Sequence, residues 1–180
     1  MKFDFLFRFC PVCGSTHFES HNIKSKRCNG CGFVMYVNPA AAVAVFVLNN
    51  QGEILVCERG KEPHKGTLDL PGGFVDEQET AEEAVLRELK EELMLEAGNP
   101  DYLFSLPNEY LFSGWTLPTL DMFYMVQTNG NEQLVASDDV ASCYYISPEK
   151  LDPAGFGLSS IRKAVSLFKS DFINNREIVQ

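Results

Sequence analysis

The pattern of apolar and polar positions predicts several strands arranged around two helices. The near-continuous apolar run at residues 40–48 is typical of a strand buried on both faces. Residues 53–59 predict a second strand, which the polar turn 49–52 joins to the first as a hairpin. Later strands are predicted at residues 102–113, 120–128 and 141–146.

The clearest helix pattern covers residues 81–93. Thr80 can serve as its N-cap, and Glu83 completes a capping box. Its apolar face consists of Ala81, Val85, Leu86, Leu89 and Leu93. A second helix is predicted within the stretch 155–168, through Leu158, Ile161, Val165 and Phe168. Strands that alternate with two helices indicate an α/β (α+β) fold with a mixed sheet between the helices.

The N-terminal segment differs in composition from the rest. A short strand that packs aromatic side chains on the body of the protein is predicted by the alternating Phe3, Phe5, Phe7 and Phe9. Because the composition shifts at residues 37–40, we expect a small subdomain at residues 1–37 and a larger domain at residues 38–180.

Two C-x2-C pairs in this segment resemble the knuckles of a zinc ribbon. The candidate ligands are Cys10, Cys13, Cys28 and Cys31. Four thiolates close a tetrahedral shell, so such a zinc site is structural. An iron site with the same ligands, a pair of disulfides, and a Cys/His site using His17 or His21 are the alternatives. Cys57 and Cys143 lie in apolar runs and are expected to be buried small side chains.

Three carboxylates share one face of the helix at residues 81–93. Glu88, Glu91 and Glu92 fall on one arc, and we expect no lysine or arginine on that arc to relieve their repulsion. Arg87 points to the side, where it can meet Glu79. A solvated acidic face is one interpretation. The other is a site for Mg²⁺ or Mn²⁺, since these hard cations prefer carboxylate oxygens.

The spacing around these carboxylates closely resembles the Nudix box of the Nudix hydrolases. The pattern Gly-x5-Glu-x7-Arg-Glu-U-x-Glu-Glu-x-x-U, where U is bulky and apolar, is matched by Gly73, Glu79, Arg87, Glu88, Leu89, Glu91, Glu92 and Leu95. One position departs from the family, which usually has glycine where this chain has Met94. That departure concerns the turn at the end of the helix and not the expected metal ligands.

The resemblance implies an alpha/beta/alpha sandwich that hydrolyses a nucleoside diphosphate linked to another moiety. It implies that Mg²⁺ or Mn²⁺ is held by Glu88, Glu91, Glu92 and the carbonyl group of Gly73. Glu79 and Arg87 would orient the loop against the helix. The family does not fix the general base, for which the candidates here are Glu109, Asp138 and Asp139.

Residues near the box are candidates for substrate contact. Arg59 and Lys65, with Lys61, are cations able to contact substrate phosphate, whereas His64 is expected at the surface. Aromatic side chains that either stack on a base or pack in the protein are Tyr110, Phe112 and Trp115.

A zinc ribbon ahead of a Nudix domain is similar to the arrangement in NADH pyrophosphatases, which can also remove NAD caps from RNA. Their Ser-Gln-Pro-Trp-Pro-Phe-Pro-x-Ser motif is reduced here to Ser105-x-Pro107. We therefore expect a nucleotide-containing diphosphate of the ADP-ribose, NADH or nucleotide-sugar type as substrate. A non-catalytic Nudix-fold ligand sensor, or a module that binds a partner through the ribbon, is the alternative.

Composition and charge narrow the partners. The 180 residues are 45% hydrophobic and carry 15 basic and 25 acidic side chains, for a formal charge of -10. An acidic chain is a poor nonspecific binder of nucleic acid or of anionic membranes, and its one basic run is Lys24, Lys26 and Arg27. Without a signal peptide or membrane span, a cytoplasmic location is expected. Dimers are common in the family, so a homodimer is a further expectation.

Overall fold

The N-terminal unit is a three-stranded antiparallel sheet. The computed structural model describes residues 6–176, except for the side chains of residue 112 and of residues 171–176. The chain divides into two compact units, Met1–Pro39 and Ala40–Gln180. In the first unit the strands follow the order β1-β2-β3 and comprise β1 (Phe18–Asn22), β2 (Ser25–Cys28) and β3 (Val34–Tyr36).

The second unit is built on a mixed sheet with strand order β6-β5-β4-β8-β7, and β9 pairs with β5. Its strands are β4 (Ala40–Leu48), β5 (Ile54–Arg59), β6 (Leu68–Asp69), β7 (Asp101–Phe112), β8 (Trp115–Gln127) and β9 (Val140–Ile146). Helix α1 (Ala81–Leu93) precedes β7, and α2 (Ser159–Arg176) follows two short 3-10 helices at Pro148–Lys150 and Pro153–Gly155. β4 and β8 are parallel, whereas the other pairs are antiparallel.

Strand β4 separates two hydrophobic clusters. Its side chains alternate between the faces of the sheet, as the two-residue period of a strand requires. Val43, Val45 and Val47 pack with Val85, Leu89 and Leu93 of α1. Ala44, Phe46 and Leu48 pack with Ile161, Val165 and Phe168 of α2. The prediction of a mixed sheet between two helices is therefore confirmed.

Several predicted boundaries are wrong. β8 begins at Trp115 and not at residue 120, because Pro118 lies beyond the end of β4 and blocks no hydrogen bond to that strand. Helix α2 begins at Ser159, after the glycine-containing 3-10 turn, and extends beyond residue 168 to Arg176. The expected hairpin is limited, since β4 and β5 pair at Leu48 and Ile54 only. β5 pairs with β9 along its whole length and with β6 at Cys57 and Glu58.

The predicted N-terminal strand is also wrong where it can be judged. Phe3 and Phe5 lie outside the described residues. Phe7 and Phe9 do not lie in a strand, and Phe9 is 61% exposed. Phe7 nevertheless packs on the small core of the N-terminal unit, against Cys10, Phe18 and Cys28.

Candidate active site

Helix α1 begins and ends where its local sequence predicts. The Thr80 hydroxyl accepts from the Glu83 N–H, and the Glu83 carboxylate accepts from the Thr80 N–H at 2.8 Å, so the capping box is formed. At the other end Met94 adopts a left-handed conformation with φ 54°. Its N–H donates to the carbonyl of Lys90 at 3.0 Å. A methionine thus fills the conformation that glycine adopts more easily.

Glu88 lies directly against the turn before the helix. A Cβ atom added to Gly73 would lie only 2.2 Å from Oε1 of Glu88, so a side chain at this position is incompatible with the carboxylate where it stands. The Gly73 carbonyl accepts from the Val43 N–H at 2.8 Å. A carbonyl oxygen has two lone pairs, so the second remains for another partner.

Arg87 connects the carboxylates to the turn. Its guanidinium donates to both oxygens of Glu79 at 2.8 and 3.0 Å, as the sequence predicts. Nη1 also donates to Glu88 at 2.8 Å and to Glu91 at 3.1 Å. The expectation that no cation relieves this arc is therefore wrong. Arg87 and Glu91 are four residues apart, a spacing at which helical side chains meet.

Glu92 is the buried member of the acidic group. It is 7% exposed, and its Oε2 accepts from the Gly72 N–H at 3.0 Å. Burial, together with the nearby Glu88, Asp69 and Asp139, raises the pKa of Glu92 to about 8. Gly72 itself has φ 147°, and a Cβ there would lie 2.1 Å from the carbonyl oxygen of Val43. This close approach of Gly72 to Val43 fixes the position of the N–H that donates to Glu92.

A cavity of about 290 Å³ lies beside Glu92. Its walls include Gly72, Gly73 and Phe74 from the turn before α1, and Arg59 and Tyr110 from β5 and β7. The rings of Phe74 and Tyr110 meet edge to face, with centroids 5.7 Å apart. Of the aromatic candidates for base stacking, Tyr110 lines the cavity and Trp115 does not.

Arg59 and Lys65, which were predicted to contact substrate phosphate, lie in different surroundings. Arg59 lines the cavity, but its guanidinium forms a salt bridge with buried Asp69 and donates to the Pro63 carbonyl at 2.8 Å. Burial raises the pKa of Asp69. Lys65 is exposed and does not line the cavity. His64 is exposed, as predicted.

Lys61 pairs with two of the three general-base candidates. Its ammonium group pairs with Asp138 at 2.8 Å and with Asp139 at 2.5 Å. Asp139 lines the cavity, whereas Glu109 lies on the opposite face of β7 from Asn108 and Tyr110 and is exposed.

The loop that carries these aspartates is tied to the end of α1. The Ser137 N–H donates to the carbonyl of Glu92 at 2.9 Å, and the Ser137 hydroxyl donates to the carbonyl of Glu91. Helix carbonyls near the C-terminus have no partner within the helix, so this contact satisfies two of them. It also holds Asp139 on the same side of the cavity as Glu92.

A buried polar cluster at the cavity was not foreseen from the sequence. Asn108, Thr119 and Asp121 line the cavity, and each is nine-tenths or more buried. Asp121 accepts from the hydroxyls of Thr119 and Ser160, each at 2.5 Å. Ser159 donates to Asn108 at 3.0 Å. The available signal was the set of polar residues in otherwise apolar β7 and β8.

The N-terminal cysteines converge on one point. Sγ of Cys10 lies 3.7 Å from that of Cys31, and Sγ of Cys13 lies 3.6 Å from that of Cys28. Four sulfurs about 2.3 Å from a tetrahedral zinc ion lie about 3.8 Å apart, whereas a disulfide requires about 2.05 Å. All four atoms lie within 4.8 Å of one another. The Cys31 N–H, and to a lesser extent that of Gly30, lowers the pKa of Cys28 to about 6, whereas hydrogen bonds with the neighbouring thiols raise the pKa of Cys13.

His17, His21 and Lys26 were other candidate functional residues of the N-terminal unit. His17 and His21 are absent from the sulfur cluster. Lys26 is 3% exposed, and its ammonium group donates to the Phe7 carbonyl at 2.7 Å. The Lys26 side chain is therefore not a solvated member of the basic run.

Cys57 is buried, as predicted, and Cys143 is half-buried opposite it in the β5–β9 pair.

Comparison with known proteins identifies the family. A family model described as the NUDIX domain matches residues 38–167. The chain belongs to the Nudix family. The chain resembles a Nudix hydrolase of known structure from Nitrosomonas europaea, with a TM-score of 0.69, 17% identity and 91% coverage of each chain. At this identity the likeness shows the fold alone.

Two curated relatives of the Nudix chain carry specific names. It is 25% identical over 162 residues to the NAD-capped RNA hydrolase NudC of Pseudomonas entomophila, covering 89% of this chain and 55% of that protein. It is 48% identical over 58 residues to the ADP-ribose pyrophosphatase of Methanocaldococcus jannaschii, covering 32% and 34% of the two chains. The chain thus spans about half the length of the NudC relative. No helix within residues 6–176 is both long and apolar enough to cross a lipid bilayer.

Proposed function

We propose that this protein is a metal-dependent Nudix hydrolase that cleaves the pyrophosphate bond of a nucleoside diphosphate linked to another moiety. The observation that carries the proposal is the burial of the Glu92 carboxylate at the border of the cavity. Within residues 6–176 this carboxylate accepts a single hydrogen bond, from the Gly72 N–H. A buried carboxylate at this position is stabilised as the anion by a cation close to it. A simple acidic surface would leave it solvated.

We propose that Mg²⁺ or Mn²⁺ is held by Glu88, Glu91, Glu92 and the Gly73 carbonyl. Arg87 engages Oε1 of Glu88 and Oε2 of Glu91, and Gly72 engages Oε2 of Glu92, so each carboxylate keeps its other oxygen. Hard oxygen donors of this kind fit a divalent cation that also takes waters and substrate phosphates. When bound, the metal would polarise a phosphoryl oxygen and lower the pKa of the attacking water.

The protein's own groups would complete the site. Arg87 and Glu79 hold the turn at Gly73 against α1, which positions the carboxylates before substrate arrives. Asp139 is the general-base candidate that lines the cavity with Glu92, and it pairs with Lys61. The position of Arg59 on the cavity wall supports a contact with substrate phosphate, whereas Lys65 would need to move to make one.

The names of the relatives narrow the proposed substrate class. NudC acts on NAD-capped RNA and the archaeal relative on ADP-ribose, as their names state. Both substrates contain adenosine that is joined to a second group through a diphosphate. We therefore propose ADP-ribose, NADH or a similar dinucleotide or nucleotide sugar. We also propose a structural zinc ribbon at residues 1–37, the hydrolase domain at residues 38–180, and a cytoplasmic location, where reduced cysteines persist.

The test is turnover of these compounds with Mg²⁺ and with Mn²⁺, comparing wild type with Glu92→Gln. Glutamine is isosteric but a weaker ligand, so kcat/KM should fall about 10³-fold, as expected when a metal that stabilises the transition state by several kcal/mol is lost. Glu96→Gln, an exposed carboxylate beyond the helix, is the matched control. Ligand binding without any product from wild type at any metal concentration would favour a sensor instead.

A further inference from the structure

The polar cluster formed by Asn108, Thr119, Asp121, Ser159 and Ser160 lies on the α2 side of the sheet, away from the carboxylates of α1. Asn108 and Thr119 are directly paired across β7 and β8, and Asp121 lies two residues further along β8 on the same face. Asn108, Thr119 and Asp121 all line the cavity that Glu92 borders. One cavity therefore has an acidic end suited to metal and diphosphate and a second polar end.

The second polar end of the cavity offers a ligand the Asp121 carboxylate as a hydrogen-bond acceptor and the Asn108 amide as a donor. Each oxygen of Asp121 accepts one hydroxyl hydrogen bond, which leaves lone pairs on a carboxylate that is 6% exposed. The amide oxygen of Asn108 accepts from Ser159, and within residues 6–176 its amide nitrogen donates to no protein atom. These lone pairs and the amide N–H groups of Asn108 can therefore bond to a ligand that enters the cavity.

The surrounding walls suit a flat ring. Ala42, Ala44, Leu158 and Ile161 line the same cavity. Phe74 and Tyr110 border it. Apolar walls of this kind pack against the faces of an aromatic ring, whereas the hydroxyl-rich ring of a sugar would leave polar groups unpaired.

The spacing matches one nucleoside unit. Ala42 of β4 pairs with Asp121 on one side and forms a bridge to Phe74, the neighbour of Gly73, on the other. Asp121 is therefore two strand spacings, about 10 Å, from the turn that contacts Glu88. That separation is comparable to the distance from the edge of a base to its diphosphate.

We propose that this cluster recognises the nucleobase of the substrate, with Asp121 accepting from an exocyclic amino group and Asn108 donating to the adjacent ring nitrogen or oxygen. The inference rests on the proposed function in taking the base to belong to the diphosphate substrate. Bases with an amino group at this edge, such as adenine, should bind in preference to hypoxanthine, which has a carbonyl group there. An oxygen lone pair facing the Asp121 carboxylate would be repelled.

The test measures binding and turnover separately. Calorimetry without divalent metal compares AMP with IMP, and kinetics with Mg²⁺ compare NADH with its hypoxanthine analogue. Wild type should prefer the amino base about tenfold, which corresponds to one or two lost hydrogen bonds. Asp121→Asn should reduce that preference several-fold, because the amide can present a donor as well as an acceptor. Asp101→Asn, at an exposed position of β7, is the matched control.

Two further arms separate the alternatives. Asn108→Ala should weaken AMP binding without burying a new charge, so it tests the cluster even if Asp121→Asn unfolds. Equal binding of AMP and IMP to wild type overturns the proposal. Selective loss of binding with 2′-deoxy-AMP, without base preference, would assign the cluster to ribose and overturn it too. Base preference without turnover would preserve this inference while the proposed hydrolase activity fails.

Discussion

The cysteine cluster and the α1 carboxylates differ in what lies between their donor atoms. The four sulfurs converge within 4.8 Å. Glu88 and Glu91 instead share the guanidinium of Arg87. Arg87 supplies the positive charge that offsets the repulsion between Glu88 and Glu91, whereas four thiolates need a bound metal ion for the same purpose. We therefore expect the carboxylate site to keep its arrangement without metal, and the cysteine site to depend on the metal that it is proposed to hold.

The largest expected effect follows from Cys28→Ser. The small core of the N-terminal unit cannot replace the contribution of the proposed zinc ion, about 10–16 kcal/mol, so β1–β3 should unfold and the zinc should be lost. Hydrogen exchange should show lost protection in residues 18–36 and retained protection in β4 and α1, with metal content measured in parallel. Cys143→Ser is the control. Retained protection of β1–β3 without zinc would contradict this view of the ribbon.

Arg87→Ala tests whether the carboxylate site is held by the protein. Removing the guanidinium leaves Glu79, Glu88 and Glu91 without their shared partner. The free energy of unfolding should fall by about 2–3 kcal/mol in denaturant titrations without divalent metal. Lys90→Ala, an exposed residue of the same helix paired with Glu96, should cost about 0.5 kcal/mol or less. Similar losses in both variants would show that Arg87 is an ordinary surface residue.

Gly73→Ala displaces one carboxylate with little effect on folding. The new Cβ meets the end of the Glu88 side chain, which can rotate away at small cost. The Mg²⁺ concentration for half-maximal turnover should rise about tenfold or more, with an almost unchanged melting temperature. Gly98→Ala is the control, because no atom lies within 4 Å of its added Cβ. Unchanged Mg²⁺ dependence would remove Glu88 from the proposed ligands.

Met94→Gly should have the smallest effect. A left-handed residue other than glycine is strained, and the exposed Met94 side chain buries little surface. Glycine should raise the free energy of unfolding by about 0.5–1 kcal/mol, after its greater freedom in the unfolded chain is counted. Met94→Ala keeps the strain and should give no gain. A less stable glycine variant would show that the methionine side chain stabilises the turn.

The parts of the site that the sequence predicts are those specified locally. Helix α1 is bounded by its own capping box and by an apolar stripe, so its limits follow from about a dozen consecutive residues. The Arg87–Glu79 contact follows from the family spacing in the same stretch. Arg87 was nevertheless misjudged, because its long side chain reaches Glu88 and Glu91 from beside their arc.

The polar end of the cavity depends on long-range register and was not predicted. Asp121 meets Ser160 because β8 pairs with β4 and α2 packs on that face of the sheet. Neither relation is visible in a window of neighbouring residues. Strand β6 was missed for a similar reason, since two residues carry no periodicity of their own and pair only because β5 lies beside them.

The parallel pairing of β4 with β8 has a consequence for the order of folding. Every residue from Ala40 to Leu48 has its partner in Thr119–Gln127, so the closed loop contains α1 and the whole β7 strand. Contacts this distant in sequence form slowly, because the entropy of loop closure precedes their gain. On the ribosome, the complete helix α1 must therefore emerge and remain without its full support until β8 has been synthesised.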